Sequence, residues 1–261
     1  MIFGLFHIVL SQFNYLNMSV MKRVFVLIFV PLFFASCEKS GYSLGDIWVS
    51  IATVENPDNS SAFFFRLDND ERMWTAATSL PHYRPKDGQR ILAYYTILSD
   101  KPESSSYDHD VKLNSVYRIL TKDIFKITPE TQDSIGNDPI KIVDIWIGSD
   151  YLNVEFEFAG QYKTHFISLV SDESKTYDDG KVHLEFRHNA NNDALSYRNW
   201  GLASFNIMPL QPSGTDRITL VIHTNEYDEP EEKLYELTYI FDGSADRVRS
   251  LSPEGAIGEV E

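Results

Sequence analysis

Cysteine is almost missing from this chain of 261 residues, in which Cys37 stands alone. Without a second thiol no intramolecular disulfide can brace the fold, and no multi-cysteine metal site can form. Basic residues are scarce as well, 23 against 38 acidic ones, for a formal net charge of −15. Nucleic-acid binding draws its affinity from Lys and Arg on phosphates, so this balance argues against it. The same balance argues against a basic grip on anionic lipid. Long apolar runs are also missing, since the longest, Val24 to Ala35, has only twelve residues. Crossing a bilayer takes about 20. Enzyme signatures are absent too: there is no Gly-x-Ser-x-Gly elbow, no His-Glu-x-x-His and no Gly-rich phosphate loop. No catalytic residue is assigned, and no cofactor is implied.

The short apolar run is itself informative. It follows the basic Met21-Lys22-Arg23 and ends in Phe34-Ala35-Ser36-Cys37, small residues before a cysteine. That is the layout of a lipoprotein signal, in which Cys37 is lipidated and becomes the mature N-terminus. A transmembrane anchor and an ordinary secretory peptide with a chance cysteine are the weaker alternatives. Met1 to Val20 lacks Lys and Arg, and Met18 or Met21 is the better start. Residues 1–36 are thus read as leader and 37–44 as a tether. Of the basic residues only Lys22 and Arg23 precede Cys37, so the remainder carries about −17. The protein is expected in the cell envelope of a Gram-negative cell, lipid-anchored to the inner or outer membrane and facing periplasm or cell surface. Its membrane contact is the N-terminal lipid.

Beyond the tether, apolar residues recur at every second position. Leu152-Asn153-Val154-Glu155-Phe156-Glu157-Phe158 and Val182-His183-Leu184-Glu185-Phe186-Arg187 alternate strictly, which predicts half-exposed antiparallel strands. Ile47–Val54, Ala62–Leu67, Ile91–Leu98, Val111–Ile119, Ile140–Ile147, Lys163–Val170, Leu202–Pro209, Ile218–Thr224 and Leu234–Phe241 read the same way. Turn-formers such as Lys86-Asp87-Gly88 and Asp178-Asp179-Gly180 lie between them. The fold class is all-β, built as sandwiches or barrels. Thr128 to Pro139 is polar and bounded by prolines, so residues 129–139 are read as a linker between a domain at 45–128 and another at 140–243. Residues 244–261 read as a flexible tail.

Several segments resemble the NigD-like family of anaerobic Gram-negative bacteria. They are Gly88-Gln89-Arg90-Ile91-Leu92-Ala93-Tyr94-Tyr95-Thr96-Ile97-Leu98, Ile119-Leu120-Thr121-Lys122-Asp123-Ile124-Phe125, Gly136-Asn137-Asp138-Pro139-Ile140, Asp144-Ile145-Trp146-Ile147-Gly148, Tyr151-Leu152-Asn153-Val154 and Leu184-Glu185-Phe186-Arg187-His188-Asn189. The resemblance spans nearly all of the chain after the leader. It implies a lipoprotein with an N-terminal OB-like five-stranded barrel and a C-terminal antiparallel β-sandwich. Five strand-like runs are accordingly expected before the linker. It further implies a role in bacteriocin immunity, tied to one operon context, and supplies no catalytic residues.

Candidate functional residues follow from composition and position. Trp74 and Tyr83 in the first domain, with Trp48, offer an aromatic face for a sugar or peptide, although core packing accounts for most aromatics there. Alternation puts Arg187 on a wet face, beside His188 and upstream of Trp200. Arg and Trp are favoured interface anchors, so these three form a candidate partner patch, with a cross-strand ladder as the structural alternative. Ser134, within Asp133-Ser134-Ile135 of the linker, is a candidate O-glycosylation site. His183 and His188 are five apart and point to opposite faces of one strand, so no histidine pair has ligand spacing. Asp68-Asn69-Asp70-Glu71 and Asp228-Glu229-Pro230-Glu231-Glu232 carry enough oxygens for calcium but read equally as solvated hairpin tips. No metal site is assigned. The expected activity is non-catalytic binding of a protein or peptide, with carbohydrate binding or processing as the alternative.

Overall fold

A computed structural model of the protein describes residues 41–227 and 231–241, without the side chains of Asp133 and Ser134. Cys37 and the leader lie outside the described residues. The first five strands, β1 (Trp48–Glu55), β2 (Phe64–Leu67), β3 (Arg72–Thr78), β4 (Arg90–Asp100) and β5 (His109–Arg118), close into a barrel in the order β1-β2-β3-β5-β4. The single parallel contact, β3 with β5, closes the OB-like circuit. β3 does not stand out in the sequence. Its alternation, Met73 and Thr75 inward, dissolves at Ala76-Ala77 where a bulge shifts the register, as bulges do when one residue is left unpaired.

The remaining strands form two sheets. One has five strands in the order β14 (Lys233–Ile240), β13 (Arg217–Thr224), β11 (Val182–Asn189), β10 (Phe166–Asp172), β7 (Phe125–Ile127). The other has four: β6 (Leu120–Asp123), β12 (Tyr197–Asn206), β9 (Tyr151–Gly160), β8 (Lys141–Gly148). Between them lies a core of Leu152, Val154, Phe156, Phe158, Ile167, Leu169, Leu184, Phe186, Phe205, Leu220 and Ile222. These are the alternating residues of the sequence pattern, and full burial of each such side chain contributes roughly 1.5–3 kcal/mol.

Two details depart from expectation. The sheets are mixed, since β6 with β12, β7 with β10 and β11 with β13 run parallel. The domain change also comes earlier than residues 129–139: β6 already pairs with β12 and β7 with β10. The chain leaves the barrel at Ile119 and switches sheets at Ile124, as strands do at sandwich corners. The supposed linker does not separate two bodies. Instead it carries a helical turn, Gln132–Ile135, and lies along the outside of β11. Asp138 donates its N–H to the His188 carbonyl at 2.8 Å and accepts from the Ala190 N–H at 2.7 Å.

Barrel and sandwich meet across a buried contact. Strand β4 sends Ile91, Ala93 and Tyr95 into the barrel, and its other face meets the sandwich. Ile51, Leu92 and Ile119 join Leu202 in one buried cluster, against which Trp146 and Trp200 pack. Beside it Arg90 is fully buried. Its guanidinium donates to Asp68 Oδ2 at 2.9 Å, to Asn153 Oδ1 at 3.0 Å and to Thr53 Oγ1 at 3.1 Å, and lies 4.2 Å from the Tyr151 ring centre. Asn153 returns a bond to Asp68 at 3.1 Å and accepts one from Ser204 at 2.6 Å. Asp68 is thus no calcium ligand at a hairpin tip but half of an ion pair that Asn153 of the sandwich bridges.

Candidate binding site

A pocket of about 530 Å³ lies at one end of the sandwich, lined from both sheets and the loops beside them. One wall comes from the four-stranded sheet, with Ala159 near the end of β9 and Tyr197 and Arg198 at the start of β12. The other comes from the five-stranded sheet and the segment beside it, with His188, Ala190, Asp138, Pro139 and Tyr227. The loop between β11 and β12 adds Asn192, Asp193, Leu195 and Ser196. Leu195 is 75% exposed and Tyr197 60%, with Tyr227 also open to solvent. Apolar side chains so placed on one rim mark a contact surface more often than isolated exposed ones do.

The floor is polar and tightly bonded. His188 and His165 stack with ring centres 5.0 Å apart, and His165 Nδ1 meets His188 Nε2 at 2.8 Å. His188 Nδ1 lies 3.2 Å from the Pro139 carbonyl. A carbonyl can only accept, so His188 carries its proton on Nδ1 and accepts through Nε2. Burial pushes its pKa below the usual imidazole range, and neighbouring His165 pushes the same way. Phe158, 4.6 Å from His165 between ring centres, joins this pair to the core.

Asp193 sits 3.4 Å from His165 Nε2. Its carboxylate accepts the backbone N–H groups of Gln161 and Tyr162, the latter at 3.1 Å. Donation from Gln161 above all, with Ala194, Tyr162 and Lys163, holds its pKa well below the carboxylate norm. The loop reaches this geometry through Asn191 and Asn192, both in the left-handed region at φ 52° and 53°, a conformation that asparagine tolerates better than most residues. Their carbonyls take up the Lys163 ammonium at 3.0 and 2.9 Å. Gly160 is required below them, because a Cβ there would stand 2.7 Å from His165 Nε2.

The residues singled out by sequence go to different places, and among them only His188 reaches the pocket. Arg187 is 5% exposed. Its guanidinium pairs with Glu185 and donates to the Gly136 carbonyl at 3.3 Å, so the expected wet face is covered by the segment before β8. Trp200 donates its indole N–H to Glu155 at 2.8 Å and packs into the barrel–sandwich contact. The proposed Arg187–His188–Trp200 patch therefore does not form. Trp74 lies 4.5 Å from Phe64 on the barrel surface, and Tyr83 is set edge-on to Phe63 at 6.2 Å. Both are half-buried. Ser134 falls in the helical turn Gln132–Ile135, and its side chain is outside the description.

A second histidine pair lies on the outer face of the five-stranded sheet. His183 Nδ1 meets His223 Nε2 at 2.9 Å, Asp179 lies 3.0 Å from His183 Nε2, and Glu232 lies 2.7 Å from His223 Nδ1. Tyr177 stacks on His183 at 3.6 Å. The four groups form a line and do not converge, and among the described residues no cluster of three or more His, Cys, Asp or Glu has metal-site geometry. Asp228, Glu229 and Pro230 of the second acidic run lie outside the described residues.

Comparison with known proteins decides the family. Residues 51–119 match the NigD-like N-terminal OB domain, and residues 123–239 match the NigD-like C-terminal beta sandwich domain. The chain belongs to the NigD-like family. A solved protein of unknown function from Bacteroides vulgatus is similar at 30% identity and TM-score 0.68, over 80% of this chain and 97% of that one. A Parabacteroides distasonis protein named as toxin-related is 34% identical with TM-score 0.65, over 76% and 96%. A NigD-like immunity protein of Bacteroides caccae shares the fold at 19% identity and TM-score 0.58, over 77% and 99%. No curated protein matches the chain. The matched segments meet near Ile119 and Asp123, where the chain passes from barrel to sandwich.

Proposed function

We propose that this NigD-like protein is a non-catalytic lipoprotein of the cell envelope, anchored through Cys37, that binds a protein or peptide partner in an immunity or accessory role. The observation that carries this reading is the pocket at the open end of the sandwich. It combines an exposed apolar rim with a floor whose acid–base groups are already engaged. Both ring nitrogens of His188 have partners within the protein, and the Asp193 carboxylate is held by backbone N–H groups. Such a floor fixes a shape rather than moving protons. A general base needs a nitrogen or oxygen within reach of its substrate.

Immunity is also the role named for the Bacteroides caccae protein that shares this fold. The acidic surface favours capture of a cationic partner by long-range attraction. Affinity capture from intact envelopes tests the reading. A partner retained at about 20 mM salt and weakened at about 500 mM is expected, with loss of the bait from membranes on Cys37→Ser. Carbohydrate binding is the second reading, favoured by the two exposed tyrosines, Tyr197 and Tyr227, at one pocket. Glycan binding lost on Tyr197→Ala would select it.

A further inference from the structure

Resting on that reading, we infer that the end pocket of the sandwich is a receptor for a basic side chain, lysine or arginine, presented by the polypeptide partner. Asp138 and Asp193 stand on the pocket's lining, and the chain as a whole carries −15. The neighbouring cations are already committed. Lys163 places its ammonium on the carbonyls of Asn191 and Asn192 at 3.0 and 2.9 Å, and Arg198 pairs with Glu157 at 3.3 Å. Each of these interactions is internal and uses none of the negative charge at Asp138. Asp138 spends one oxygen on the Ala190 N–H at 2.7 Å, and among the described residues no cation pairs with it, so its charge faces the pocket.

The walls fit the rest of such a side chain. Tyr197, 60% exposed, offers a ring face for a cation, an attraction that strengthens as water is excluded. Ala159, Pro139 and Leu195 offer apolar surface to the methylene stem, which long basic side chains bury while the charged head finds polar partners. His188 adds no competing positive charge, because its environment keeps the ring neutral. Asp193 stays ionised because its N–H donors favour the charged form. With both imidazole nitrogens and the Asp193 carboxylate engaged inside the protein, the Asp138 carboxylate is the acceptor left for an ammonium or guanidinium.

The test uses the full-length protein labelled with 15N and four probes: the N-acetyl methylamides of lysine, arginine, norleucine and glutamate. Lysine and arginine probes are expected to shift the backbone amides of Ala159, His188 and Asp193 to Arg198 saturably, and to bind about tenfold or more tightly than norleucine. Glutamate should leave these amides unmoved. Tyr197→Ala, at an exposed site, should weaken lysine binding several-fold. Asp138→Asn should do the same, and if it fails to fold, Tyr197→Ala alone decides. Equal affinities for lysine and norleucine, shifts confined to residues outside the pocket, or an unaltered response in Tyr197→Ala would overturn the inference. An envelope partner whose capture survives Tyr197→Ala would also overturn it while leaving the proposed function standing.

Discussion

Replacing Arg90 with methionine should unsettle the protein more than most single changes. The guanidinium is fully buried and holds Asp68 of the barrel together with Asn153 of the sandwich. Methionine matches much of its volume but leaves the Asp68 carboxylate buried without its cation. Breaking one side of a buried pair costs about 3–5 kcal/mol, far more than the pair's net contribution over an apolar replacement. For a folded unit of roughly 200 residues each kcal/mol lowers Tm by about 2–4 °C, so a fall of about 6–20 °C is expected. The effect has a second part. Asn153 and Ser204 lie in the sandwich, so the lesion should also loosen its contact with the barrel, and calorimetry should show a broader transition or two. Combining Arg90→Met with Asp68→Leu should recover most of the lost stability, because no unpaired charge is left. A double variant as unstable as Arg90→Met, or a single variant within about 3 °C of wild type, would refute the reasoning.

Other perturbations act nearer the pocket. Gly160→Ala places a methyl against the His165 ring, 2.7 Å from Nε2, and should lower stability by about 1–3 kcal/mol in urea unfolding, as overpacking does. It should also disturb the pocket amides. The pH dependence carries a defined sign. His188 has a lowered pKa in the folded state, so below about 6.5 the unfolded chain takes up a proton that the folded one refuses. The urea midpoint should therefore fall as pH drops from about 7.5 to 5.5, and His188→Gln should flatten part of that slope. Asp193 acts in a different window, since its lowered pKa gives stability that is complete above about pH 4 and lost only as pH falls further.

Much of the framework was legible because it rests on local repetition. Leu152 to Phe158 alternates in the sequence and alternates in β9, with Val154, Phe156 and Phe158 in the core. What failed to show depends on separation along the chain. Alternation says that Arg187 turns away from Phe186, but it cannot distinguish water from a covering segment, and here the stretch around Gly136 supplies the cover. Residues 129–139 read as a linker because turn-formers dominate them, yet Asp138 within them and Ile140 just after bond to residues far ahead, at His188, Ala190 and Asn225. β6 and β7 are four and three residues long, too short to reveal a period. His165 and His188 are 23 residues apart and His183 and His223 are 40 apart, so no spacing rule joins either pair. The pocket combines distant segments in the same way, and of its lining only His188 is a candidate site residue in the sequence.

The central claim is that a polypeptide partner docks at the open end of the sandwich. Site-specific photocrosslinking in intact cells tests it most directly, with a benzoyl-phenylalanine placed in turn at Tyr197, beside the pocket, and at Tyr117, an exposed barrel residue. The account predicts a discrete crosslinked polypeptide from position 197 that is lost when Asp138 is changed to asparagine, and none from position 117. Crosslinking from position 117 alone, or a product from position 197 that ignores Asp138→Asn, would contradict it.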